Sequence, residues 1–220
     1  MRTMKRILIQ FDTDPQPSVF DRVVAVDADV EQLLSYGGVT PETVEPLVHG
    51  AMFTRGAPDL AKTAIFIGGS NVAAGEALLK KVQATFFGPM RVSVMMDSNG
   101  SNTTAAAAVL SARKHLKLEG ATAVVLAGTG PVGQRAAQLL AAAGARVRVG
   151  SRGLDRAAAA CAAIAQAAPA GAEMIPVATG TPEDLKRACQ GTELIIAAGA
   201  AGAELLPADL RKSLPALKVS

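Results

Sequence analysis

The sequence predicts an α/β protein built on parallel sheets. Short apolar runs recur along it, closed by Gly or by polar turn residues such as Asp, Asn and Ser. Longer stretches with helical spacing lie between these runs. In the second half the alternation is regular, and strands alternating with helices imply parallel pairing through right-handed crossovers.

In the first half, Arg6–Phe11 reads as a strand and Ser18–Asp27 as a short helix followed by a strand or turn. Thr40-Pro41-Glu42-Thr43 reads as a helix start, with Thr40 as N-cap and Pro41 at the first helical position. Thr63–Ser70 is a second buried strand ending in glycines, and a helix follows from about Val72 to Phe86. Arg91–Met96 is a third strand, closed by the polar run Asp97–Thr104. An Ala-rich helix from about Thr104 to Leu116 follows, and Gly120 opens the second half.

There the predicted strands are Ala123–Ala127, Arg146–Gly150, Glu173–Val177 and Glu193–Ala198. The predicted helices are Val132–Ala143, Leu154–Ala167, Pro182–Cys189 and Ala203–Leu214, with Leu217–Val219 starting a further strand. The expected division is an N-terminal α/β domain over 1–104 and a second parallel-sheet domain over 105–220. The second domain carries four to five of the six strands of a complete dinucleotide fold and is read as ending short of it.

Composition narrows the function. Half the chain is hydrophobic and 19% is charged, enough apolar content for a packed core. Aromatic residues make up 3% and there is no Trp, which argues against base-stacking platforms for single strands. The net charge is +3, with no basic run longer than Arg113-Lys114, so neither nucleic acid nor a membrane surface is an expected partner. Arg2, Lys5 and Arg6 precede an apolar run of only Ile7-Leu8-Ile9, too short for a signal peptide, and a cytosolic location is expected. Cys161 and Cys189 have no metal or redox spacing and read as buried thiols. His49 and His115 are isolated and read as surface or core histidines, so no metal is expected.

Ala127-Gly128-Thr129-Gly130-Pro131-Val132-Gly133 follows a strand and opens a helix, the context in which G-x-G-x-x-G signals a dinucleotide. Gly128 permits the tight turn, Gly130 leaves room for a pyrophosphate, and Gly133 lets helix and strand approach. The second domain is therefore a Rossmann-type domain. Its second strand ends in Ser151-Arg152, where an NAD site would carry an acidic residue for the ribose 2′-hydroxyl. A guanidinium suits a 2′-phosphate, so the expected cofactor is NADP. Ala198-Gly199 closes the fourth strand and would let the nicotinamide pass close to the backbone. The cluster Asp97–Thr104 suggests a small-molecule site, with helix capping as the plainer reading. Gly68–Asn71 is a turn and cap or lines the same site. Asp12 and Asp14 read first as a solvated loop, with substrate contact as the rival.

The runs Phe11–Asp14 with Ser18–Asp21, Asp97–Ala107 and Ala127–Gly133 resemble the NADP-dependent methylene-tetrahydromethanopterin/methylene-tetrahydrofolate dehydrogenases of methylotrophic bacteria. The resemblance spans essentially the whole chain, and Asp97–Ala107 is its most specific part. It implies oxidation of a methylene bridge between two nitrogens to a methenyl cation, with hydride passing to NADP. Such a step requires no general base and so no catalytic side chain. It also implies a pterin pocket lined by Asp97, Ser98, Asn99, Ser101 and Asn102, with Phe20 and Asp21 at its wall. Two alternatives stay open: a shikimate-dehydrogenase-like enzyme using Lys62 with Asp97, and a non-catalytic NADP-binding sensor. Self-association is expected from the hydrophobic first domain.

Overall fold

A computed structural model describes residues 4–166 and 168–220. Arg2, and Ala167 at the expected end of the sixth helix, lie outside the described residues. The chain divides into two compact units, 1–100 and 101–220.

Unit 1 carries a four-stranded parallel sheet in the order β2-β1-β3-β4. The strands are β1 (Ile7–Asp12), β2 (Gln32–Tyr36), β3 (Thr63–Gly68) and β4 (Ser93–Met96). Ile9 and Phe11 of β1 and Ile65 and Ile67 of β3 point into one core with Val48, Met52, Leu78 and Val82 of the covering helices α2 (Glu45–Phe53) and α3 (Val72–Thr85). Helix α1 (Val19–Asp27) connects β1 to β2 and buries only Ala25. Val19, Phe20, Val23, Val24 and Val26 are each more than half exposed, so its aliphatic side is largely open.

Three sequence expectations for unit 1 change. Strand β2 has no distinct signal, because its burial alternates only weakly along an edge strand. The Thr40-Pro41 signature marks a turn instead of a helix start: Thr43 and Val44 both donate backbone N–H groups to Thr40 O, and α2 starts four residues later than Pro41 behind Val44. Pro46 supplies the early helical proline. Asp12 is not in a solvated loop but is the fully buried last residue of β1.

Unit 2 is parallel throughout, in the order β7-β6-β5-β8, with β5 (Thr122–Leu126), β6 (Arg146–Ser151), β7 (Met174–Ala178) and β8 (Leu194–Ala197). The whole of β5 is buried. Ala123 and Val125 face a core with α4 (Ser101–Arg113), α5 (Pro131–Ala142) and α6 (Leu154–Ala165). Val124 and Leu126 face the opposite layer with Cys189 of α7 (Pro182–Cys189), Leu205 and Leu214. Helix α4 starts three residues before Thr104, taking Ser101, Asn102 and Thr103 into its first turn. The helix expected over Ala203–Leu214 shrinks to α8 (Ala208–Lys212), since Pro207 sits at its N-cap. Leu217–Val219 contributes one bridge, Leu194 to Val219, instead of a strand.

Both cysteines are free and buried in helices, and burial pushes both thiols up, against a smaller opposing pull of Arg148 on Cys189. Thiolate is the reacting form. Neither thiol is expected to react with a disulfide reagent at pH 8 in the folded protein, and both should react after denaturation. Fast titration of either thiol in the folded chain would contradict the packing described.

Candidate functional site

In unit 2 the chain runs from β5 outward through β6 to β7, then returns to place β8 on the other side of β5. Ligands of open α/β sheets bind outside the carboxyl ends of the strands at such a reversal. Each of the predicted cofactor segments lies at a carboxyl end of this sheet: Gly128–Gly133 after β5, Ser151-Arg152 at β6 and Ala198-Gly199 after β8.

The loop after β5 is tightly held. Ala127 adopts a left-handed conformation (φ 53°), and Gly130 N–H returns to its carbonyl oxygen at 3.2 Å. Gly128 N–H donates to Gly150 O at 2.8 Å, tying the turn to β6. A Cβ on Gly128 would lie 2.8 Å from Val149 Cγ1 and 2.9 Å from Val125 O. A Cβ on Gly133 would lie 2.7 Å from both Ala127 O and Gly128 Cα. Gly130 differs, since its nearest neighbour would be Ala127 O at 3.6 Å. Gly128 and Gly133 are thus glycines for packing, whereas at Gly130 an added methyl group would make only an ordinary contact. Helix α5 begins behind Gly130 with Pro131 in its first turn and no side-chain cap. Its first N–H groups, Val132 and Gly133 among them, have no intrahelical partner and suit a phosphate. Gln134 Nε2 donates to Thr129 O at 2.8 Å and braces the loop from the helix, a contact that sequence reasoning did not single out.

Ser151 is buried, and its carbonyl oxygen accepts Thr179 N–H at 2.8 Å. Arg152 is exposed, and no hydrogen bond or ion pair engages its side chain among the described residues. Gly180 packs on the Arg152 backbone, where a Cβ would lie 2.6 Å from the carbonyl oxygen. Ala198 N–H donates to Leu126 O at 3.0 Å, and Gly199 abuts Leu205. These residues fit a 2′-phosphorylated dinucleotide: an uncapped helix start, an uncrowded glycine and a free guanidinium stand along one sheet edge.

In unit 1 the corresponding reversal lies between β1 and β3, at the carboxyl ends of which stand Asp12 and Gly68. Asp12 Oδ1 accepts Asp14 N–H at 2.9 Å, and Oδ2 accepts Ser18 N–H at 2.9 Å. Asp14 in turn accepts Ser70 N–H and Oγ–H at 2.9 and 3.0 Å. Ser18 caps α1 by accepting Asp21 N–H, which fixes Phe20 and Asp21 in the first turn. Phe20 is 77% exposed and therefore free to meet a ligand. Burial raises the Asp21 carboxyl above its usual range; its Ser18 hydrogen bond opposes this, and the Asp12 and Asp97 charges add to the rise. A Cβ on Gly68 would lie 3.1 Å from Asp21 Oδ2 and 3.2 Å from Asp12 Oδ2, so these carboxylates flank that glycine.

The Asp97–Thr104 run has mixed exposure. Asp97 N–H donates to Ile67 O at 3.0 Å, and Asn99, in a left-handed conformation, donates its N–H to Gly69 O at 2.7 Å. Ser98 is fully buried, donates to Gly68 O at 3.3 Å and leaves no room for a Cβ at Gly75. Ser101 is also fully buried, whereas Asp97, Asn99 and Asn102 keep accessible surface. Lys62 precedes β3 and Asp97 follows β4, at opposite ends of the sheet. Asp97 is level with Gly68, six residues along from Lys62, which separates them by roughly 20 Å. The Lys62–Asp97 pair required by the shikimate-type alternative does not form. A cavity of about 650 Å³ lined by Arg113–Glu119 and Ala143 lies at the amino end of β5, away from the glycine loop.

A bifunctional protein MdtA of Methylorubrum extorquens is 47% identical over 207 residues, covering 92% of this chain and 70% of that protein. The family described as methylene-tetrahydromethanopterin dehydrogenase, N-terminal, matches residues 19–99, a span that holds Phe20, Asp21 and Asp97–Asn99. The NAD(P)-dependent methylenetetrahydromethanopterin dehydrogenase of the same organism is 33% identical over 210 residues, covering 92% of this chain and 70% of that protein. The chain belongs to the methylene-tetrahydromethanopterin dehydrogenase family. Among solved structures, the dipicolinate synthase A chain of Bacillus subtilis covers 98% of this chain and 80% of its own at 16% identity and a TM-score of 0.45.

Proposed function

We propose that the chain is an NADP-dependent dehydrogenase that oxidises the methylene group of methylene-tetrahydromethanopterin, or of its tetrahydrofolate counterpart, to methenyl. Membership of the family and the 47% identical relative support this. The observation that carries the cofactor assignment is the loop after β5, with no crowding at Gly130 and the free Arg152 guanidinium on the same sheet edge. When bound, NADP accepts a hydride from the methylene carbon. That carbon stands between two nitrogens whose lone pairs spread the new positive charge, so no side chain has to remove a proton. The protein orients the two reactants and excludes water, which by proximity alone can supply a large part of the acceleration.

On this reading Gly128–Gly133, Ser151, Arg152, Ala198 and Gly199 hold the cofactor. Asp97, Asn99, Asn102, Phe20 and Asp21 face the carrier, while buried Ser98 and Ser101 shape the loop behind them. The domain division near residue 104, self-association and a cytoplasmic location belong to the same proposal. The open aliphatic side of α1 supports self-association.

The test is to follow absorbance at the reduced-nicotinamide band with NADP⁺ or NAD⁺ and each methylene carrier. Reduction of NADP⁺ with at least one carrier is expected. Tight NADP⁺ binding without turnover on either carrier would favour a non-catalytic sensor instead.

A further inference from the structure

Asp12 is a carboxylate at zero exposure, which costs free energy unless its oxygens are satisfied. Its donors are chosen by the local sequence. The β1–α1 loop contains Pro15 and Pro17, which have no N–H to give. Asp14 and Ser18 supply the loop's donors to Asp12, both at 2.9 Å. Gln10 Nε2 approaches from the strand at 3.4 Å, and its Oε1 is held by Ser35 Oγ at 2.9 Å. The backbone carbonyl of Asp12 accepts Val39 N–H at 2.9 Å, so the residue is anchored on both sides. Ser18 is also the N-cap of α1. The carboxylate therefore grips the helix at its N-cap, two and three residues before Phe20 and Asp21.

We propose that Asp12 is a positioning residue of the dehydrogenase: it holds the start of α1 against the end of β1 and so places Phe20 and Asp21 for the carrier. The inference rests on the functional reading above. Neighbouring charge adds a second consequence. Burial does most to raise the proton affinity of the Asp21 carboxyl, the Ser18 hydrogen bond opposes it, and the negative charges of Asp12 and Asp97 add to the rise. Losing hydride leaves the carrier positively charged, which an ionised Asp21 favours.

Asp12→Asn keeps the size but replaces one acceptor oxygen by an amide that faces an N–H group. The KM for the methylene carrier is expected to rise about tenfold, the scale of one lost charged hydrogen bond, with NADP⁺ affinity unchanged. The acid limb of kcat/KM for the carrier is expected to move slightly to lower pH, because one of the two charges that add to the effect of burial on Asp21 is gone. Should Asp12→Asn fail to fold, Ser18→Pro removes both the N–H given to Asp12, at a φ of −56° that proline adopts, and the hydroxyl cap, whereas Ser18→Ala removes the cap alone, and the KM rise is expected to be larger in Ser18→Pro than in Ser18→Ala. Unchanged carrier KM and acid limb, or an equal loss of NADP⁺ affinity, overturn the proposal. No turnover by the unaltered chain with either carrier removes the functional reading and this inference together; turnover that the variants leave unchanged removes this inference alone.

Discussion

Gly130→Ala is expected to weaken NADP⁺ binding by at least about tenfold while leaving the melting temperature almost where it was. Gly130 has a φ of −77°, which any residue adopts, and an added Cβ would stand 3.6 Å from its nearest neighbour. The folded chain has room for the methyl group. On the proposed function, the space it fills is the space a pyrophosphate would take above the first turn of α5. Gly133→Ala makes the contrasting case. Its Cβ would meet Ala127 O and Gly128 Cα at 2.7 Å, and both are backbone atoms that no rotamer change can move. Overpacking of this kind costs about 1–3 kcal/mol. A fall of roughly 2–4 °C per kcal/mol is then expected for a chain of this size, with cofactor binding lost as the loop deforms. Calorimetry and cofactor titration on the two variants decide the matter. If Gly130→Ala melts as low as Gly133→Ala, or binds NADP⁺ normally, the uncrowded glycine is not a phosphate seat.

The same contrast shows what was legible in the sequence. The Gly128–Gly133 motif could be placed because a buried strand and a periodic helix flank it, and local pattern alone decides both. The motif already gives the three glycines different roles. The atoms that enforce them are not in it: Val149 of β6 crowds Gly128, and the turn folds Ala127 O back onto Gly133. Asp12 shows the same limit. An acidic residue near two prolines reads as solvated, and its burial follows only from β1 lying between β2 and β3. Thr40-Pro41 misled because a capping turn and a helix start share their first residues, and Pro46 was needed to tell them apart. Strand β2 was obscured because an edge strand with Gln32, Leu34 and Tyr36 exposed lacks the apolar run that marks the central strands. Buried Ser98 and Ser101 look like ligand contacts in a polar run, yet their burial is a tertiary property with no local signature.

On the proposed reading Arg152 takes the 2′-phosphate, and Arg152→Ala is expected to lower kcat/KM for NADP⁺ by about 10–100-fold while leaving the value for NAD⁺ nearly unchanged. Ser151 cannot share the task equally, because it is buried and its carbonyl oxygen is already committed to Thr179 N–H. The Arg152 backbone is held by Gly180, which approaches its carbonyl oxygen too closely for any side chain, so the guanidinium starts from a fixed point. Among the described residues nothing competes for that guanidinium, and its fork geometry matches phosphate oxygens. Lysine at this position would keep the charge but lose the two-pronged contact, so Arg152→Lys should fall between the two. The interaction is exposed and should weaken with added salt for NADP⁺ and not for NAD⁺. Equal losses with both cofactors would show that the substitution disturbs the sheet edge as a whole. No loss with either would move 2′-phosphate recognition away from β6 altogether.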